Sequence, residues 1–393
     1  MTDLPSLADA AWLKEPPLQR VMSAIAAAGG EARVAGGAVR NALLGEAVTE
    51  VDLAATLSPE QVTQVCTAKG MSVHPTGIEH GTVTVVANHH PYEVTTLRHD
   101  VETDGRRAKV AFTDDWEADA MRRDFTMNAL YCDARGRIYD FTGGYRHVLS
   151  RSVIFVGSPE QRIAEDYLRI LRFFRFHARY GEGLPDEAGL AACVRLKQGL
   201  DGLSAERIRQ EMFKLMAAGG AVPTLRLMAE RGILAQLLPH TEEWRVLERL
   251  PPDPLLRLAV LAREPAAMKE RWRLSNHEGK RLAAIGGLTP PSPGLRALEQ
   301  KIILYQIGPE AWHDLVLIAR ARSTAALDDA AWQSLLELPD HWQIPVMPVS
   351  GNDLLAAGMN PGPEIGVTLR RLEDWWVASG FTPDKQDLLK RLT

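Results

Sequence analysis

The hydrophobic rhythm of the chain changes once, near residue 150, and that change limits the folds open to it. Before it, short β-branched runs alternate with turn residues. Thr82-Val83-Thr84-Val85-Val86, then Asn88-His89-His90-Pro91, then Tyr92-Glu93-Val94-Thr95-Thr96-Leu97 reads as a β-hairpin around a four-residue turn, because alternation resumes on the far side. A helix is predicted over residues 18–28, ended by Gly29-Gly30, and another after Val39-Arg40, stopped by Gly45. Beyond residue 158 the pattern is helical almost throughout. Ser158-Pro159-Glu160 sets an N-cap residue ahead of a first-turn proline, and Ser204-Ala205-Glu206-Arg207 opens a further helix. Residues 250–254, 289–294 and 345–351 hold the prolines and glycines that separate helices. The expectation is an α+β head followed by an all-α remainder, and 393 residues suffice for two or three domains.

Composition narrows the function. Hydrophobic residues at 46% and charged residues at 24% describe a folded globular chain rather than a disordered one. No apolar run approaches the roughly 18–20 residues of a membrane span, and the first residues, MTDLPSLADAAWLKEPP, lack the basic start and apolar block of a secretory signal. Forty-five basic against fifty acidic residues give −5, so any contact with nucleic acid must be local rather than a bulk-charge effect. Cys66, Cys132 and Cys193 are odd in number and scattered, which fits a reducing cytoplasm and provides neither a disulfide framework nor a cysteine zinc site.

Three stretches carry chemistry. In Val34-Ala35-Gly36-Gly37-Ala38-Val39-Arg40, two glycines stand between a strand-like run and a helix start. Such a turn lets backbone amides approach a phosphate, with Arg40 as a forked donor; it also reads simply as a turn. Glu50 and Asp52 are two residues apart and would share one side of a strand. Adjacent carboxylates repel unless a cation lies between them, and hard oxygen donors suit Mg²⁺; Glu93 on the second hairpin strand is a candidate third carboxylate. A solvated acidic strand edge is the plainer reading. Residues 161–180, read as one helix at about 100° per residue, put Arg169, Arg172, Arg175 and Arg179 in one stripe with Asp166 at its edge. Ile170, Leu171, Phe174 and Ala178 lie opposite, and a salt-bridged surface helix would show the same spacing.

In order, the chain carries Gly36-Gly37-x-Val39-Arg40, Glu50-x-Asp52, Glu93-Val-Thr-Thr-Leu-Arg98, Arg122-Arg123-Asp124-Phe125-Thr126-Met127-Asn128-Ala129-Leu130, and Glu165-Asp166-x-x-Arg169-x-x-Arg172. Toward the end come Ser350-Gly351-x-Asp353-Leu354 and Gly362-Pro363-Glu364-Ile365-Gly366. This set resembles the class II tRNA nucleotidyltransferase and bacterial poly(A) polymerase family. The resemblance implies a polymerase-β-like nucleotidyltransferase head at 1–145, a helical neck at 146–216 that recognises the base, a helical body at 217–340 and a tRNA-binding tail at 341–393. It implies that Gly36, Gly37 and Arg40 contact the triphosphate, that Glu50 and Asp52 hold metal with Glu93 as a third carboxylate, and that Arg123 touches phosphate and Asp124 the ribose. Asp166 and Arg169 would read the base, with Arg172 and Arg175 in support. The implied activity is Mg²⁺-dependent addition of C, C and A to the tRNA 3′ end from CTP and ATP, in the cytoplasm, with no protein partner inferable. A carboxylate accepts from the exocyclic amine of cytosine or adenine, whereas uracil and guanine present a carbonyl oxygen there.

Two departures stand out. The family usually has Asp at the first metal position, where this chain has Glu50, and often Asp directly after the arginine, where this chain has Asn41. Glu50 leaves room for a catalytically impaired RNA-binding homologue. Poly(A) polymerases share the head motifs but tend to carry a basic C-terminal extension; the ending Lys390-Arg391-Leu392-Thr393 favours tRNA as substrate. The remaining signals have plainer readings. His99-Asp100 and His313-Asp314 resemble half of a phosphohydrolase metal motif without its support, and His80-Gly81-Thr82 reads as a turn. Trp312, Trp332, Trp342, Trp375 and Trp376 are expected to pack a core rather than stack on RNA, and Arg271, Arg273, Lys280 and Arg281 suit a solvated helix face as well as a phosphate backbone.

Overall fold

The computed structural model describes residues 4–78, 81–104 and 107–392, and divides into two compact units, Met1–Leu238 and Pro239–Thr393. His80 lies outside the described residues, as does the side chain of Asp100. In the first unit a seven-stranded sheet has the order β3-β4-β5-β2-β1-β8-β9, with β1 Ala32–Ala35, β2 Asp52–Ala55, β3 Ser72–Gly77, β4 Thr82–Ala87, β5 His90–Thr96, β8 Leu130–Cys132 and β9 Ile138–Asp140. β6 (Arg98–Asp104) and β7 (Arg107–Phe112) form a separate antiparallel pair. Alternation along β4 buries Val83, Val85 and Ala87, and along β5 it buries Tyr92, Val94 and Thr96. Helices α1 (Pro16–Ala27) and α3 (Pro59–Ala68) pack near this face, their apolar sides supplying Leu18, Val21, Ile25, Val62 and Cys66.

The hairpin is tighter than its sequence suggests. Ala87 pairs with His90, leaving a two-residue turn in which Asn88 (φ 49°) and His89 (φ 67°) are both left-handed. That geometry matches the right-handed twist of the flanking strands, and Asn tolerates it. Likewise α2 (Gly37–Leu43) begins before Val39, directly on the second glycine.

Short helices α4 (Trp116–Met121) and α5 (Gly144–Leu149) close the head, and α6 (Pro159–Glu165), α7 (Leu168–Tyr180), α8 (Glu187–Leu196), α9 (Ala205–Met216) and α10 (Ala221–Glu230) follow. Ser158 caps α6 by accepting from the Gln161 amide, with Pro159 at its first position. α7 packs on α9 and buries Ile170, Leu171, Phe173, Phe174, Phe176 and Ala178.

The second unit is helical. Asp253 caps the helix Pro254–Leu261 from the proline-rich break before it, and Ala297–Arg322 kinks at Gly308, ahead of Pro309. Trp312 and Trp332 pack with Leu304, Val316 and Leu335, and Trp376 packs with Leu354, Leu372 and Leu388, which is the expected core role. Trp342 and Trp375 are half-buried. Asp314 is taken by Arg281, whose Nε and Nη2 donate to it at 2.6 and 2.8 Å while Nη2 also reaches Asp253 at 2.9 Å, so Arg281 works inside a half-buried ion-pair network. Among the described residues no helix is long and apolar enough to cross a membrane.

Candidate active site

β1 ends at Ala35, and the chain must turn at once to reach α2. Gly36 has φ 65°, and a Cβ there would lie 3.1 Å from the Asn128 carbonyl oxygen and 3.4 Å from Arg123 Nη1, so conformation and space both require glycine. Its amide donates to Leu130 O at 2.9 Å, which ties the turn to β8. Ala35 faces Asp52 on one neighbouring strand and Tyr131 on the other. β2 runs parallel to β5 with Leu53 opposite Val94, so Asp52 and Glu93 are level, and Glu93 is in turn opposite Thr84. Glycine turn, Asp52, Glu93 and Thr84 therefore succeed one another across adjacent strands, with roughly 4.8 Å between strands.

Glu50 precedes β2 rather than lying in it, because the strand starts at Asp52; both carboxylates nevertheless line one cleft of about 520 Å³ with Glu93. Trp12, Glu15, His90 and Tyr92 form another part of its wall. Burial, then the Glu93 and Glu50 charges, push the Asp52 carboxyl above its usual range, and Arg123 opposes them. Carboxylates that repel in this way suit a hard cation. Among the described residues no three acidic, histidine or cysteine side chains are arranged to hold one by themselves. A pair of carboxylates completed by substrate phosphates is the way Mg²⁺ is commonly bound, and the donor set fits that chemistry.

Behind the glycines, Arg40 is only 6% exposed. It donates to the side-chain oxygens of Asn128 and Asn41 (2.9 Å to the latter) and to the Tyr180 hydroxyl at 2.7 Å, and lies 4.0 Å from the Tyr180 ring centroid. All these partners are neutral, and burial pulls its pKa down. Arg123 points back into the head, donating to Asp119 at 3.1 Å, Tyr131 Oη at 3.0 Å and Asn128 O at 3.3 Å. Asp124 accepts a fork from Arg172 Nε (2.8 Å) and Nη2, and also bonds Asn128 Nδ2 at 3.1 Å and the Phe125 amide at 2.8 Å. Burial would raise this carboxyl, but Arg172 and these donors hold it below its usual range. Arg175 pairs with Glu211 on α9, and Arg179 with Glu46.

Residues 161–180 are not one helix. α6 stops at Glu165, Asp166 is extended (φ −157°), and α7 begins at Leu168. The break is local chemistry: Asp166 Oδ1 accepts from the Leu168 amide at 3.1 Å, offering the backbone an alternative to a continuous helix. Asp166 Oδ2 meets Arg207 Nη2 of α9 at 2.7 Å, whereas Arg169 bonds Glu165 and the Arg162 carbonyl. Asp166 and Arg169 thus flank the break, each with another partner. Sequence reasoning passed over Asn128, which joins Arg40 to Asp124, and over Tyr180, Arg207 and Glu211. Asn128 sits inside the quoted Arg122–Leu130 motif; Arg207 and Glu211 are one turn apart on a helix, a spacing that also reads as an ordinary surface pair.

Comparison with known proteins agrees with this layout. Residues 32–154 match the Poly A polymerase head domain, and residues 185–245 match a probable RNA and SrmB-binding site of polymerase A. The CCA tRNA nucleotidyltransferase 1, mitochondrial, of Danio rerio is 37% identical over 92% of this chain and 87% of its own length. The CCA-adding enzyme of Streptococcus gordonii is 33% identical over 93% of each chain. The crystal structure of the Bacillus stearothermophilus CCA-adding enzyme in complex with CTP superposes with a TM-score of 0.80 at 28% identity, covering 96% of this chain and 98% of that one.

Proposed function

The chain belongs to the family of CCA-adding enzymes and poly(A) polymerases, and from that premise we propose that it adds C, C and A to the 3′ end of tRNA from CTP and ATP. The observation that carries the reading is the alignment of the glycine turn with Asp52 and Glu93 on adjacent strands of one sheet, Glu50 lining the same cleft. In this reading the triphosphate lies against Gly36 and Gly37, with Arg40 and Arg123 behind them, and Asp124 faces the ribose. The terminal 3′ oxygen attacks the α-phosphorus, the bond to pyrophosphate breaks, and the hydroxyl proton leaves toward the carboxylates. Mg²⁺ held by Glu50 and Asp52 would acidify that hydroxyl and neutralise the leaving phosphates. Asp166 accepts from the base's exocyclic amine, Arg169 donates to the ring acceptors, and Arg172 and Arg175 hold the wall behind them. A carbonyl facing Asp166 leaves groups unpaired at about 1–3 kcal/mol each, which disfavours UTP and GTP.

Residues 1–145, 146–216, 217–340 and 341–393 serve in this reading as head, neck, body and tail, and the three buried free cysteines suit a reducing compartment such as the cytoplasm. The test is product length at single-nucleotide resolution, with Mg²⁺ and tRNA ending at the discriminator base or an unstructured RNA. Three nucleotides added to the tRNA from CTP and ATP, then a stop, is the expected result. A long ladder from ATP alone, on either RNA, would overturn it in favour of polyadenylation.

A further inference from the structure

If the triphosphate lies at Gly36 and Gly37, the attacking hydroxyl has to arrive from the other side, because displacement at phosphorus puts nucleophile and leaving group in line. The order across the sheet is glycine turn, Asp52, Glu93, Thr84, so the acceptor strand ends on the Glu93 side. What lies there is the remaining wall of the 520 Å³ cleft: Trp12 and Glu15 from the segment ahead of α1, with His90 and Tyr92 at the start of β5. Trp12 is half-buried, leaving part of its indole open to the cleft that Glu50 and Asp52 also line. Tyr92 alternates with Glu93 along β5 and turns its ring to the buried side, so the indole of Trp12 is the large aromatic surface this wall offers.

We propose that Trp12 forms the seat of the acceptor RNA's terminal nucleoside, with the base stacked on its indole. This rests on the nucleotidyl-transfer reading above and adds the acceptor side to it. Stacking is the interaction that suits the task. The terminal base changes with each addition, and an aromatic face holds every base without reading its edge. The incoming nucleotide, by contrast, meets hydrogen-bonding side chains at Asp166 and Arg169. Trp12 does not belong to the motifs that carry the family resemblance.

The test uses the full chain and a tRNA acceptor lacking CCA, in two forms: with its 3′-terminal base and with an abasic 3′-terminal nucleotide. Trp12→Ala is expected to raise KM for the normal acceptor by about tenfold while leaving KM for CTP unchanged, and Trp12→Phe to recover most of the loss. The abasic acceptor should show the same rise with the wild-type chain and no further rise with Trp12→Ala. An unchanged KM for RNA in Trp12→Ala, or an equal additional loss on the abasic acceptor, overturns the seat while the nucleotidyl-transfer reading stands. A wild-type chain that extends no RNA refutes that underlying reading instead.

Discussion

At the glycine turn, Arg40 is buried with only neutral groups in hydrogen-bond contact, whereas beyond α6 Asp166 and Arg169 each hold a partner of opposite charge, Arg207 and Glu165. Burial outweighs the more distant Asp124 and Glu46 charges there, and in the proposed reading an arriving triphosphate relieves that cost. The base end is already satisfied, so a base must displace existing partners and brings net gain only where its own edge fits. In the proposed reading, binding strength therefore arises at the phosphate end and selectivity at the base end.

The largest effect expected tests the carboxylate row between them. Asp52→Asn should cut nucleotide addition by about a thousandfold or more, since it removes a charge needed in the transition state. It should also raise the melting temperature of the metal-free protein at neutral pH, because the Asp52 charge is disfavoured there. A lower melting temperature would show that the row is not repulsive. Next, Asp124→Ala breaks a pair buried at the hinge of the two ends, and should cost about 3 kcal/mol in urea unfolding. The two carboxyls also separate by pH. Asp124 is held low, so its stabilisation is complete above the ordinary carboxyl range and is lost as pH falls through its lowered folded value. Asp52 is held high, so its contribution runs the other way and grows as pH falls through its raised value. Acid titrations of stability for Asp124→Asn and Asp52→Asn should deviate from wild type in opposite directions.

At the base end, Asp166→Ala should relax discrimination between CTP and UTP by about tenfold to a hundredfold. Arg207→Ala, which removes a half-exposed partner, should change stability by less than about 1 kcal/mol and leave that discrimination largely in place. If both variants lose it equally, Arg207 shares in base recognition and the contrast between the ends weakens. The smallest effect comes from Asn41→Asp, which would give Arg40 a carboxylate. Stability should rise by about 1 kcal/mol while KM for CTP and ATP rises by roughly threefold, measured side by side.

The glycine turn and the hairpin were legible in the sequence because each is set by local chemistry, positive φ and alternation, whereas the Arg122–Leu130 motif was legible only through the family resemblance. What was hidden depended on partners far along the chain. Nothing near Asp166 announces Arg207, and nothing near Arg40 announces Tyr180. The break at Asp166 was obscured for a different reason. Its apolar periodicity runs on into α7, and a side-chain cap on the Leu168 amide outweighs periodicity over one turn. Glu50 shows that neighbours can share a cleft without sharing a strand.

Among the described residues of the seven-stranded sheet, β2 and β5 are the one parallel ladder, and they carry Asp52 and Glu93. Parallel neighbours cannot be joined by a tight turn; residues 56–89, with α3 and two strands, must be laid down before these two meet. Pairings of that sequence separation are slow to form, because loop-closure entropy is lost before the contact is gained. In the proposed reading, the metal-holding row would therefore be complete only once β2 and β5 have paired, after the glycine turn and the hairpin have their local geometry.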